Sequence, residues 1–401
     1  MVEIPPSSSY TALAIHSVDF LVLPMDPRFL AATKIGRHAL RVLKSDVFDD
    51  QWVPNLWVIV VFMVLCIQLC ECVIFLNDYS NKSTILLTEN LGIMFAALQA
   101  IYCLLVIIMK RESWRSLLEK VEKRRYQYKS TNIVPIFDEF YQRTVLFSKI
   151  IYALYMACSS YYLLPIIAPD PDKLNLPIGL TLPYLDAEQT MGYCFTYIYQ
   201  VLFVTAAQLA LIGHICIVTV TVLSACCQIR CIKTLLRELS DLLNNPNSRP
   251  EAVRKLLGEI ISLHVSSLAF IERLQNLLYL DYLTIFISCG IVIFGTLNVI
   301  ANNVWTSATL FFCGGIGSIL LQCLYGNMLL VENDTLADAF YGIDWYRLAV
   351  RERKAFQLAL ANAQIDVQLH GVFAPVNLAT SVSIIRAAFS YFSILKSYSS
   401  D

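Results

Sequence analysis

The chain is 401 residues long, 57% hydrophobic and only 15% charged, with a formal net charge of −1. Soluble domains run near a quarter charged, so this is the composition of a polytopic membrane protein. A net charge near zero also argues against nucleic acid as a partner, since binding phosphate demands a basic excess.

The N-terminus is no signal peptide: Pro5, Pro6 and Ser7 to Ser9 stand where a basic start and an apolar core would be. Residues 1–53 form a mixed segment in which Phe20 to Pro27 reads as a short interfacial stretch broken by prolines. Six apolar spans follow, at Pro54–Leu76, Leu86–Met109, Val145–Ile167, Met191–Ser224, Leu277–Asn302 and Trp305–Val331. Crossing a bilayer takes about 20 helical residues. The fourth span exceeds that, so its helix tilts or runs on beyond the membrane. There is no internal repeat, which disfavours an inverted-repeat transporter.

A seventh span, Pro375 to Tyr398, is only half apolar. Ser381, Ser383, Ser390, Ser393 and Ser397 interleave with Ile384, Ile385, Phe389, Phe392, Ile394 and Leu395, and the stretch carries Arg386 and Lys396. A charge at the bilayer centre costs roughly 2.5–3.5 kcal/mol or more. Such a helix is either a last bundle helix with snorkelling ends, or one that faces protein on one side and water on another.

Lys and Arg set the orientation. Residues 1–53 and the second-to-third, fourth-to-fifth and sixth-to-seventh connections hold 25 of them, against Lys82 and Lys173 on the other side. The N-terminus is therefore expected in the cytoplasm and the C-terminus outside, opposite to a G-protein-coupled receptor. Asn81-Lys82-Ser83, a glycosylation acceptor pattern, falls in an outer loop, whereas Asn333-Asp334-Thr335 falls inside.

Three inner stretches keep apolar residues at helical spacing. They are Ile215–Leu243 with Ile229, Ile232, Leu235, Leu236 and Leu239; Arg254–Leu280 with Leu256, Ile260, Leu263, Ile271 and Leu274; and Tyr346–Ala363 with Leu348, Phe356 and Leu358. Their apolar faces need a partner, either within the subunit or in a bundle shared between subunits. Leu243 to Glu251 is an Asn- and Pro-rich turn between the first two.

Enzyme chemistry finds no support. The five histidines, His16, His38, His214, His264 and His370, lack metal-ligand spacing. No phosphate loop, nucleophile elbow or paired intramembrane carboxylate occurs, and no cofactor or metal is expected. Glu71, Glu89 and Asp281 lie near span ends, where snorkelling or capping accounts for them. The thirteen cysteines, among them Cys66, Cys70, Cys103, Cys216, Cys289, Cys313 and Cys323, lie mostly in apolar runs and read as small buried hydrophobes. Cys226, Cys227 and Cys231 also form a weak palmitoylation pattern.

Leu336 to Gln364 followed by Gly371 to Ser397 resembles the C-terminal signature of insect odorant receptors. The tokens are Asp344-Trp345-Tyr346; Gly371, Phe373 and Pro375; and the run from Ser390 to Ser397. The sister gustatory receptors typically carry a Thr-Tyr and a Gln-Phe pair in this helix, where this chain has Ser390-Tyr391 and no Gln after it. The second inner connection is shorter than that of the family's co-receptor, so the resemblance is to an odour-tuning subunit.

The resemblance implies an all-α membrane protein of seven transmembrane helices with a cytosolic helical anchor. Its parts would be the cytoplasmic segment 1–53, helices one to four over 54–224, cytosolic extensions over 225–276 and helices five and six over 277–331. An anchor helix and linker over 332–374 and a pore-lining helix over 375–398 complete it. The implied function is an odorant-gated cation channel, a heterotetramer with the odorant co-receptor in the plasma membrane of olfactory sensory neurons. Carried onto this sequence, Ile394 matches the hydrophobic gate, with Ser397 and Tyr398 at the outer mouth. A ring of aliphatic side chains closes a narrow pore by dewetting. The anchor is similar to the stretch holding Trp345, Tyr346, Leu348 and Phe356.

The family's odorant site lies in the outer halves of helices two, three, four and six, under the third-to-fourth loop, here 168–190 with Pro169, Pro171, Pro177 and Pro183. Candidates on recurring helical faces are Met94, Phe95 and Leu98; Met156, Ser159 and Tyr162; Tyr193, Tyr197 and Gln200; and Thr309 and Phe312. Met and aromatic walls with few hydroxyls suit small volatile ligands. Two other readings stay open: a seven-helix receptor of gustatory or metabotropic type, and a transporter.

Overall fold

The computed structural model describes residues 26–49, 52–77, 84–127, 132–167, 176, 190–301 and 307–399. Its regular structure there is helical: α1 (Pro27–Val42), α2 (Leu56–Asn77), α3 (Thr84–Met109), α4 (Arg111–Gln127), α5 (Val134–Ile167), α6 (Thr190–Asn244), α7 (Pro250–Ala301), α8 (Ser307–Tyr341), α9 (Val350–Ala363) and α10 (Leu378–Ser399). Helices α2, α3, α6, α7 and α8 are long and apolar enough to cross a membrane. Helices α5 and α10 fall at the other two spans expected from the sequence, and α1, α4 and α9 are additional.

The fourth span runs on rather than ending: α6 is a single helix of 55 residues, about 80 Å long at 1.5 Å per residue. Every residue from Ile212 to Ile229 is buried, which makes α6 the axis of the bundle. Asn245 turns the chain by accepting from the Asn247 amide at 3.0 Å, and Pro250 opens α7 at a first-turn position that tolerates proline. The inner parts of α6 and α7 then pack within the same chain. Ile229, Ile232, Leu235, Leu236, Leu239, Ile260, Leu263, Ile271 and Leu274 are all buried, so packing inside the subunit accounts for both of those faces.

Helix α1 starts where the sequence suggests a proline-broken stretch. Asp26 caps it by accepting from the Arg28 amide at 2.8 Å, with Pro27 in the first turn. Most of the expected interfacial stretch, Phe20 to Met25, lies outside the described residues. Helix α1 is no loose surface element. Phe29, Ala32 and Leu40 are buried, and Gly36 lets it approach α6 so closely that a Cβ there would lie 2.7 Å from Cys216 Cβ. It ends in a Schellman arrangement, with Lys44 in the left-handed region at φ 54°, the Ser45 amide on the Leu40 carbonyl and the Lys44 amide on that of Arg41.

The cysteines divide. Cys103, Cys216, Cys289 and Cys323 are buried as expected, but Cys66, Cys70 and Cys313 are exposed on the outer surface of the bundle. Cys226, Cys227 and Cys231 are buried too, so their thiols are closed to palmitoylation. Asn333 is also buried, its amide donating to the Ile365 carbonyl at 3.2 Å.

The linker from α9 to α10 is docked, not slack. His370 pairs with Pro375 in an isolated bridge. The Gln275 side chain on α7 donates to the His370 carbonyl at 2.7 Å and accepts from its amide at 2.8 Å, as a neighbouring strand would. On α8, Gly326 lies so close to Val376 that a Cβ would sit 1.9 Å from the Val376 carbonyl oxygen. Both sides of that contact are backbone, so neither yields. Gly326→Ala is expected to cost at least the ~1–3 kcal/mol of ordinary overpacking. Gly92→Ala, with nothing within 4 Å, is expected to be neutral or slightly stabilising. Thermal melts of the two variants in detergent check this.

Candidate ligand region and pore helix

In the part of the bundle away from the basic end, polar bridges tie neighbouring helices. Asn90 of α3 donates to the Cys72 carbonyl of α2 at 3.0 Å, and Tyr199 of α6 donates to the Val64 carbonyl of α2 at 3.1 Å. Ser288 of α7 donates to Gln99 of α3 at 2.8 Å, and the hydroxyls of Tyr155 on α5 and Ser318 on α8 lie 3.1 Å apart. A group without water must find its partner inside the protein, and these pairs fix the helices that frame the candidate region.

The candidates fall in different places. Met94 packs against the cluster of Ala97, Phe203, Val204 and Ala207 between α2, α3 and α6. Tyr193 and Tyr197 stack in a tilted pair with ring centroids 5.9 Å apart, and Gln200, one turn further on, is buried. Phe95 and Thr309 are half-buried. Leu98 and Met156 are exposed on the outer surface, at 42% and 39%. Phe312 turns towards α10, its ring 6.3 Å from Phe389 and edge-on to it. The side chains of Ser159, Tyr162 and Tyr398, with Asn81 and all of the 168–190 loop except Leu176 and Thr190, lie outside the described residues.

Helix α10 presents two unlike faces. Ser381 and Ala388 are buried, and Ile384, Ile385 and Phe392 are half-buried against α7 and α8. On the opposite side, Ser383, Ala387, Ser390, Ile394 and Ser397 are exposed and recur every three or four residues. The stripe is small or hydroxylic except at Ile394. Ser383 and Ser397 donate back to their own helix, to the carbonyls of Ala379 at 2.9 Å and Ile394 at 2.7 Å. That leaves the hydroxyls satisfied whether or not water is present.

At the basic end, Leu348 and Phe356 are buried within the chain, and Trp345 packs against the main core. Tyr346, Val350 and Leu358 are left exposed at 58%, 69% and 69%. The anchor stretch is thus held by its own subunit on one face and unoccupied on the other. Glu352 faces Arg254, which donates to it at 2.8 Å. Its own amide first, then Arg254, holds its carboxyl below the usual range.

Sequence reading misplaces two acids. Asp281 does not snorkel: it is 1% exposed, and its Oδ2 lies 2.8 Å from His214 Nε2, itself 1% exposed. Trp114 of α4 closes over the imidazole edge-on, with ring centroids 6.2 Å apart. Glu71 is likewise buried, at 5% exposure. The side chain of Glu89 is outside the described residues.

Residues 83–389 match the profile of the family described as 7tm Odorant receptor. The chain belongs to this odorant receptor family. It is therefore a multi-pass membrane protein of that family. It is 24% identical to Odorant receptor 10 of Aedes albopictus over 230 residues, covering 55% of this chain and 60% of that one. It is 26% identical to the Odorant receptor coreceptor of Ooceraea biroi over 120 residues, covering 29% of this chain and 25% of that one. The matched stretches span 37–60% of the length of the first three curated relatives. The fold is that of the insect olfactory receptor OR5 from Machilis hrabei, solved in complex with eugenol. The TM-score is 0.74 at 15% identity, covering 92% of this chain and 97% of that one.

Breaking the His214–Asp281 contact is expected to be expensive, because a buried charge left without its partner costs about 3–5 kcal/mol. Asp281→Ala should lower the melting temperature of the receptor in detergent markedly. The double variant His214→Leu with Asp281→Leu should recover a large part of that loss. Equal, additive losses would show that the two groups do not interact.

Proposed function

We propose that this receptor is an odour-tuning subunit of a ligand-gated, non-selective cation channel, with its N-terminus in the cytoplasm and its C-terminus outside. The observation that carries the reading is the exposed stripe of α10. A lipid-facing helix gains nothing from three serines and an alanine in register, whereas a helix beside a water-filled axis does. Ile394, the one bulky aliphatic in the stripe, is suited to close that axis by dewetting. One chain supplies one wall only, so the pore needs further subunits around the axis. The exposed apolar residues of the anchor, Tyr346, Val350 and Leu358, offer the surface on which such subunits would join.

The odorant co-receptor is the proposed partner, in a heterotetramer at the plasma membrane of olfactory sensory neurons. The ligand is a small volatile odorant, held in the outer half of the bundle among Met94, Phe95, Tyr193, Tyr197 and Gln200. Gating is a population shift in which the odorant binds the open arrangement more tightly than the closed one.

The test is electrical. Cells expressing this chain with an insect co-receptor are expected to give odorant-evoked cation current, and cells expressing either protein without a responsive partner are not. Ile394→Ala should raise the basal current without odorant, with surface expression unchanged. Ligand responses that persist without any ionic current would support a metabotropic receptor, and saturable uptake would support a transporter.

A further inference from the structure

Helix α2 buries Val58, Val61, Leu65, Gln68, Glu71 and Cys72, a face that turns from apolar to polar towards its C-terminal end. Glu71 is 5% exposed, and its Oε1 has no hydrogen-bond partner among the described residues. Asp281 and Asp46, buried elsewhere in the chain, each meet a base, at His214 and Arg37. Glu71 has none to meet. Helix α2 packs on α3 and α6, and neither α2 nor α3 contains a Lys, Arg or His. On α6 the bases are His214, which Asp281 holds, and Arg230, Lys233 and Arg237 at the basic end.

The groups around it are short of donors as well. Gln68, one turn earlier, lies within hydrogen-bonding reach of the Glu71 carboxyl, and Asn90 of α3 donates to the Cys72 carbonyl at 3.0 Å. Both are buried, at 0% and 1% exposure, and Gln68 Oε1 and Asn90 Oδ1 are again without partners. Tyr199 of α6 has already given its hydroxyl proton to the Val64 carbonyl. Buried acceptors left unmet are costly, and a carboxylate inside a membrane bundle marks the place of a counter-ion. Three free acceptors and one negative charge call for a group that only donates, which an ammonium does. Beside them Cys72, Ile93, Met94, Ala97 and Phe203 belong to one apolar cluster, a wall suited to a hydrocarbon body.

We propose that Glu71 is the counter-ion for a small primary alkylamine, bound as its ammonium between α2 and α3 with its hydrocarbon body against Met94 and Phe203. This rests on the reading of the chain as an odorant-gated channel subunit, and it names the chemical class of the ligand. A sodium ion is the poorer fit, because hard cations gather about six oxygens and the apolar cluster supplies none.

The experiment expresses the full chain with an insect co-receptor and compares currents evoked by n-pentylamine and by 1-pentanol, which has the same chain length. Melting of the purified full chain in detergent with each compound reports binding apart from conduction. The amine is expected to act at lower concentration than the alcohol and to raise the melting temperature. Glu71→Gln should raise the half-maximal amine concentration about thirtyfold or more and leave the alcohol response as it is. Gln68→Met, which keeps the shape and deletes one acceptor, should weaken the amine severalfold, and it carries the test if Glu71→Gln does not reach the surface. An amine that stabilises the wild-type chain and not Glu71→Gln, without any current, would sink the channel reading and keep the site. No amine effect in the melt, or an amine response indifferent to both substitutions, overturns the site whatever currents other odorants evoke. Stabilisation by sodium chloride over choline chloride that Glu71→Gln removes, with no effect of the amine, gives the carboxylate to sodium and overturns it too.

Discussion

The structure depends on the complete burial of the middle of α6. A helix coated on every side by protein loses contact with both lipid and water, so each polar group along it needs an internal partner. The chain meets that demand locally. The Thr219 hydroxyl bonds the Ile215 carbonyl at 2.7 Å and lies 2.8 Å from the Tyr325 hydroxyl, and Thr221 returns to the Ile217 carbonyl at 3.0 Å. His214 is the costlier case and takes the Asp281 carboxylate. Because α1, α3, α5, α7 and α8 all pack on α6, the position of each depends on how well the others fill its surface.

That arrangement makes the two ends of the molecule unlike. At the basic end, Glu332 of α8 accepts from Arg230 at 2.5 Å and from Lys233 at 2.7 Å on α6. Arg347 donates to Asn244 at 2.9 Å, and α9 is seated through Phe356. These are multi-point ties between helices, set on an apolar core. Among the described residues, the half away from the basic end is joined by single hydrogen bonds between pairs of helices. On the proposed function this division suits ligand entry and rearrangement, since the elements that move are drawn from the less densely tied regions.

Much of this was legible in the sequence, and the parts that were not have a common cause. Hydropathy and Lys/Arg placement report on the solvent each residue meets, so the seven spans and the inner helical stretches could be read directly. Pairing across helices is a different kind of information. Nothing local distinguishes Asp281 in a buried pair from an acid that snorkels, because His214 lies on another helix. Phe312 was read onto the ligand face from the resemblance and its helical position, and neither could tell that its ring meets Phe389 on α10. Helix α1 did carry a local signal, Asp26-Pro27 in a cap and first-turn relation, but the nearby prolines drew the reading towards a broken segment.

The linker between α9 and α10 explains how a sparsely packed last helix can still be well positioned. Helix α10 touches its own chain along one narrow face only, so its direction is set where it begins. There the backbone is clamped by Gln275 through both the amide and the carbonyl of His370, and Val376 is pressed onto Gly326 of α8. On the proposed channel reading, a helix held firmly at its base and loosely along its length would answer small rotations of α7 and α8 by swinging as a lever. Its far end, where Ile394 stands, would move furthest. Fixing the base while leaving the stripe uncovered would then let one chain hold one wall of an axis completed by others.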